Sequence, residues 1–155
     1  ISEKEKGAHT GDEGAFQIKD YATYSIVGHS ERKESRELVR SKVKMCEKYN
    51  LTPIICFTNP ESIKSNVHKD ALLAWEDPDN ISVNGVYREK NISDIYDSFK
   101  SMKNIVPEKD ILYGGSVNES NITDIAAISE VSGVLVGSAS LDPAHFYKII
   151  NAFEN

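Results

Sequence analysis

Short apolar runs alternate with helix-patterned segments along the whole chain, and no other feature of the sequence restricts its fold as much. The first run is Tyr24, Ser25, Ile26 and Val27, β-rich and stopped by Gly28. Residues 35–49 read as a helix, with Leu38, Val39, Val43, Met45 and Cys46 spaced mostly at i, i+4 and i+7 between charged positions. Asn50 suits its C-terminal end, and Pro53 follows as a stop. Ile54, Ile55, Cys56 and Phe57 form an unbroken apolar run, the pattern of a strand buried on both faces. Asn59, Pro60 and Glu61 then open a short helix, with Pro60 in its first turn.

Three further strands are expected. Residues 71–75 end at Glu76, residues 111–113 break at Gly114, Gly115 and Ser116, and residues 133–136 end at Gly137. Residues 77–85 are a polar loop. Helices are expected over 93–102, with Ile95, Tyr96 and Phe99 on one face, and over 121–129 and 143–153. Alternation of apolar strands with helices means a parallel sheet with helical crossovers, an α/β fold.

A strand–loop–helix unit needs about 30 residues, so a chain of this length holds about five and not eight. No linker or low-complexity tract divides the 155 residues, so one domain over 1–155 is expected. The 24 acidic against 18 basic residues disfavour nucleic acid as the main partner. Cys46 and Cys56 are too few for a disulfide framework, which favours a reducing, cytoplasmic compartment. No apolar run approaches the roughly 18 residues of a membrane span, so no membrane partner is expected. His68 and His145 lack ligand-spaced partners, so no metal is expected. The charges over 34–48 read as a solvated helix face.

Function in a parallel α/β sheet sits at the carboxyl ends of the strands. His29 follows the first strand. A lone His is usually structural, but a helix N-terminus after it would keep the ring neutral and able to donate to a substrate oxygen. Glu76 ends the third strand, where desolvation strengthens a carboxylate as a general base at neutral pH. Gly114, Gly115 and Ser116 end the fourth strand, and Gly137 and Ser138 the fifth. Paired glycine turns at adjacent strand ends let backbone N–H groups cradle a phosphate. A neutral electrophile, a carboxylate base and a phosphate cradle suit proton shuttling beside the carbonyl of a small phosphorylated substrate.

In this order, the motifs resemble triosephosphate isomerase. SIVGHSERK at 25–33 is similar to the family's fourth-strand signature, and ILYGGSVN at 111–118 and GVLVGSASLDP at 133–143 match its last two strands and phosphate loops. GAHTG at 7–11 resembles the third loop, which in the family plugs into a neighbouring subunit, so Thr10 is the expected interface residue. The short run over 57–72 and His9 look like the compact archaeal branch.

The resemblance implies a partial (β/α)8 TIM barrel carrying parallel strands 4 to 8. His29 would polarise the carbonyl, Glu76 would move the proton, and Glu31 would be the buried carboxylate behind the site. This division between Glu and His is the one already known for the family. Gly114, Gly115, Ser116, Gly137 and Ser138 would line the phosphate pocket, and Ile81 in the loop after Glu76 would meet the substrate. No cofactor is implied. The partners implied are a small triose phosphate and either further copies of the chain or a complementing chain supplying strands 1 to 3.

Two departures stand out. The sequence begins after the family's third strand, so the strand-one Lys that neutralises substrate charge is not in it, and Lys4 and Lys6 match no family lysine. Ser82, Val83 and Asn84 replace the small hinge residues of the family's lid.

Overall fold

A computed structural model describes residues 1–80 and 90–153. Its centre is a parallel sheet in which each of five strands pairs with the next in chain order. The strands are β1 (Tyr24–Val27), β2 (Thr52–Phe57), β3 (Leu72–Trp75), β4 (Ile111–Tyr113) and β5 (Gly133–Val134). The helices are α1 (Ala15–Ile18), α2 (Arg36–Lys48), α3 (Ile92–Ile105), α4 (Ile122–Ala126) and α5 (Pro143–Asn151). This is the α/β architecture read from the sequence. No helix among the described residues is long and apolar enough to cross a membrane.

Local chemistry sets the helix ends. Ser35 caps α2 by accepting the Leu38 N–H at 3.2 Å. Asn50, two residues past the helix, takes a left-handed φ of 57° that Asn tolerates, letting the Leu51 N–H return to the Cys46 carbonyl at 2.9 Å. Asp142 caps α5 through the Ala144 and His145 N–H groups, with Pro143 in the first turn.

Several boundaries differ from expectation. β2 starts at Thr52, so Pro53 lies inside the strand rather than stopping a helix. The Thr52 N–H bonds to β1's side, leaving the Pro53 nitrogen facing β3 at a level where β3 has not begun, and its missing donor costs nothing. The helix expected at Asn59 is a 3-10 helix, Pro60–Asn66. β5 is shorter than residues 133–136, because β4 ends at Tyr113 and leaves Leu135 a single bond, to the Tyr113 carbonyl at 2.9 Å. α4 is likewise short. In α3 it is Ile95, Phe99 and Met102 that face inward, while Tyr96 stays 38% exposed. Four-residue α1 is too brief to leave a periodic signal.

The register puts alternate residues on shared faces. One face carries Val27, Ile55, Phe57, Leu73, Trp75, Ile111 and Tyr113, all buried. Trp75, Phe99 and Tyr113 form an aromatic cluster there, with ring centres 5.8 to 6.2 Å apart. The opposite face is more open: Tyr24 is 54% and Ile26 46% exposed, and Ile54, Leu72 and Leu112 are half-buried.

At the end of β1 the chain turns sharply through Gly28, whose φ is +75°. A Cβ there would also stand 3.1 Å from Val39 Cγ2 and 3.3 Å from the Cys56 carbonyl. Gly28→Ala should therefore cost at least about 1 kcal/mol. An unchanged urea midpoint would refute the requirement for glycine.

Candidate active site

The Gly28 turn delivers His29 to the carboxyl edge of the sheet. Its Nδ1 accepts the Glu31 N–H at 3.4 Å, which leaves Nε2 as the ring's donor. Nε2 lies 2.9 Å from Glu76 Oε1. No full helix starts at His29, contrary to expectation: Ser30–Arg32 is a three-residue 3-10 turn, and α2 begins only at Arg36. The ring's tautomer is thus held by one backbone N–H rather than by a helix dipole.

Glu76 extends β3, its N–H still bonded to the Phe57 carbonyl at 2.8 Å. It is 2% exposed. Oε2 accepts the Ser30 N–H at 2.8 Å, and Oε1 accepts the Ser30 hydroxyl at 3.0 Å besides His29. Three donors offset the cost of burying the carboxylate. Ser30 was not singled out in the sequence; its only signal was its place beside His29.

Glu31 is exposed at the rim of the cleft and is not the buried carboxylate. That place belongs to Glu34, whose side chain is 6% exposed. Its Oε2 accepts the Gly28 N–H at 3.2 Å, and its Oε1 meets Lys42 Nζ at 2.5 Å. Burial alone would raise the Glu34 carboxyl. The Lys42 ammonium, the Gly28 N–H and Arg32 outweigh it and hold the group below the usual carboxylate range. Lys42 is itself buried, so residues 34–48 are not simply a solvated face. Glu34 lies before the helix and Lys42 eight positions on, a spacing that carries no local signature.

The glycine turns complete the cleft. The Gly114 N–H bonds to the Trp75 carbonyl at 2.8 Å, and a Cβ on Gly114 would come within 3.4 Å of Glu76 Cγ. A Cβ on Gly115 would collide with the Tyr113 hydroxyl. Gly137 has open space around its Cβ position, and Ser138 starts a 3-10 turn. The Ser116 hydroxyl donates to the Asn80 carbonyl at 2.5 Å.

His29, Glu31, Glu76, Gly114, Gly115, Ser116, Gly137 and Ser138 line one cleft of about 260 Å³. A wider hollow of about 840 Å³ borders the unpaired side of β1 and shares His29 and Glu31, but neither Glu76 nor the glycine turns reach it. Ile81, Ser82, Val83 and Asn84 lie outside the described residues. Thr10 is exposed on the N-terminal segment and does not line the cleft. Cys56 is packed at the end of β2, where burial, then Glu76 and Glu34, push its thiol well above the ordinary range.

Sequential parallel strands, with a carboxylate, an imidazole and two glycine turns converging at their carboxyl ends, define a segment of the (β/α)-barrel class. Residues 1–153 match the family model for triosephosphate isomerase. The triosephosphate isomerase of Mycoplasmopsis agalactiae is 32% identical over 97% of this chain and 67% of its own length. That of Dictyoglomus thermophilum is 35% identical over 96% of this chain and 73% of its own. The crystal structure of triosephosphate isomerase from Bartonella henselae superposes with a TM-score of 0.79 at 26% identity, over 99% of this chain and 74% of that one. This chain belongs to the triosephosphate isomerase family.

Proposed function

We propose that the chain, within a completed barrel, is a cytoplasmic isomerase interconverting dihydroxyacetone phosphate and D-glyceraldehyde 3-phosphate without a cofactor. The observation that carries this reading is the 2.9 Å approach of His29 Nε2 to Glu76 in a cleft also walled by both glycine turns. Backbone N–H groups of the turns would hold the phosphate. The His29 N–H would donate to the substrate carbonyl oxygen, stabilising charge as it develops there. Glu76 would take a proton from C1 and return it to C2 while a hydroxyl proton passes from O1 to O2, so the isomers balance without redox chemistry. Glu76 must first exchange its bonds to Ser30 and His29 for the substrate, since an oxygen already accepting two hydrogen bonds is a poor base.

Replacing His29 with Gln should lower kcat about 100-fold and change KM much less. A rate within tenfold of the parent would remove His29 from the chemistry.

Among the described residues β1 and β5 each pair on one side only, and the open face of the sheet exposes Tyr24 and Ile26. Parallel strands from further residues or a complementing chain would cover both edges and supply a lysine for substrate charge. Association of copies through Thr10 would follow the family's pattern. The open edges also support a second reading, a weakly catalytic phosphate-binding partial barrel or a non-enzymatic interaction module. Chain mass and isomerase assay on one preparation separate these. Turnover by a homogeneous 17.2 kDa chain would defeat the need for added strands. Absence of both turnover and phosphoglycolate binding would favour the module.

A further inference from the structure

Directly behind Glu76 lies a further buried carboxylate for which the isomerase chemistry has no use. Asp77 is 2% exposed. Its Oδ1 accepts the Asp79 N–H at 3.1 Å, and its Oδ2 accepts the Asn80 amide at 2.9 Å and Lys90 Nζ at 2.5 Å. The Lys90 ammonium also sits 5.0 Å from the centre of the Trp75 ring. That ring is fixed in turn: its N–H donates to the Thr58 carbonyl at 3.2 Å, and it packs on Phe99 and Tyr113. Glu76 is therefore flanked by two residues, Trp75 and Asp77, that share one cation delivered from just before α3.

The chemistry gives this arrangement a purpose. Glu76 must move its carboxylate from Ser30 to the substrate, so its backbone has to be the fixed point of that movement. A displacement of about 1 Å at such a group costs on the order of 100-fold in rate. A buried carboxylate bound by three donors resists displacement, because any shift leaves charge unpaired in a dry site.

We infer that the Asp77–Lys90 pair, braced on Trp75, is a positioning device that anchors the backbone of Glu76; its kinetic consequences rest on the isomerase reading. The pair also sets the local field. The groups facing Glu76 are His29 and Ser30 beyond β1, Glu31 at the rim and the Cys56 thiol on β2, while Asp77 and Lys90 stand behind it on the Trp75 side. The Tyr113 phenol on β4 is pushed up by burial and then by Asp77. Neutralising Lys90 leaves a negative charge beside Glu76 and moves the acidic limb of the kcat/KM profile to higher pH. Neutralising Asp77 leaves a positive charge and moves it to lower pH. A purely structural role predicts no such opposition.

The test compares Lys90→Met, Lys90→Arg and the isosteric Asp77→Asn in the complete protein. Lys90→Met should lower kcat at least about tenfold with KM within about threefold, Lys90→Arg should restore most of it, and the acidic limbs should move in opposite directions. Two readouts need no turnover: emission of Trp75, the single tryptophan, and the His29 Nε2–H resonance, which reports the contact with Glu76. Both should shift in Lys90→Met. Parental kcat with an unshifted His29 resonance overturns the proposal, as do acidic limbs moving together. Should Lys90→Met not fold, Asp77→Asn and Lys90→Arg decide by the same limbs and resonance. A parent protein without turnover refutes the isomerase reading instead, and the His29 resonance then decides the pair: shifted supports it, unshifted overturns it.

Discussion

Glu76→Gln should lower kcat of the completed enzyme by about 1,000-fold, within the range by which a positioned general base accelerates proton transfer. The substitution keeps the length of the side chain and one acceptor oxygen, so the bond from the Ser30 N–H, 2.8 Å in the parent, has a partner and the fold should persist. What the amide lacks is the ability to take up and return a proton, the role proposed for Glu76. The loss should fall on kcat, because the substitution leaves the glycine turns proposed to hold the phosphate untouched. Coupled-assay kinetics with a thermal melt on the same sample make the measurement. A kcat within tenfold of the parent, with an unchanged melt, would remove Glu76 from the reaction.

The second large effect is on stability. Glu34→Gln should cost about 3 kcal/mol, a large share of a typical domain's margin, because it leaves the Lys42 ammonium buried without its counter-charge. Lys42 is 10% exposed at its side chain and bonds Glu34 at 2.5 Å, so water cannot readily replace the lost partner. The pH dependence has a definite sign. The Glu34 carboxyl is held below its ordinary value in the folded chain. Its contribution is therefore present above the unfolded value and lost as pH falls through the folded one. Urea midpoints of parent and variant should differ clearly near neutrality and converge in acid. Equal midpoints at neutral pH, or a deficit that persists undiminished in acid, would refute the assignment.

Much of the fold was legible because its signals are local. Val27 to Gly28, Trp75 to Glu76 and Tyr113 to Gly114 each change from apolar to turn or charged residues at one peptide bond, so strand ends could be read directly. Those same ends carry the cleft, which is why His29, Glu76, Gly114, Gly115, Ser116, Gly137 and Ser138, all expected at strand ends, line it together. Strand lengths were less legible. Pro53 reads as a stop, yet it is tolerated inside β2 because the neighbouring strand starts later. Gly133 and Val134 alone form β5, because the length of a ladder depends on its partner.

The partnerships among charges were not legible. Glu31 and Glu34 are the same residue type three positions apart, and only the path of the chain from the Gly28 turn into α2 decides which is buried. Ser30 meets Glu76 across 46 positions, and Lys90 meets Asp77 across 13. Residue order alone settles the succession of strands, the family and the residues at the carboxyl edge, since periodicity and short motifs are properties of neighbours along the chain. Three-dimensional packing settles which carboxylate is buried, which donors hold Glu76 and which cation stands behind it. Those outcomes depend on desolvation and on distances across the sheet, and neither is written in any contiguous stretch of residues.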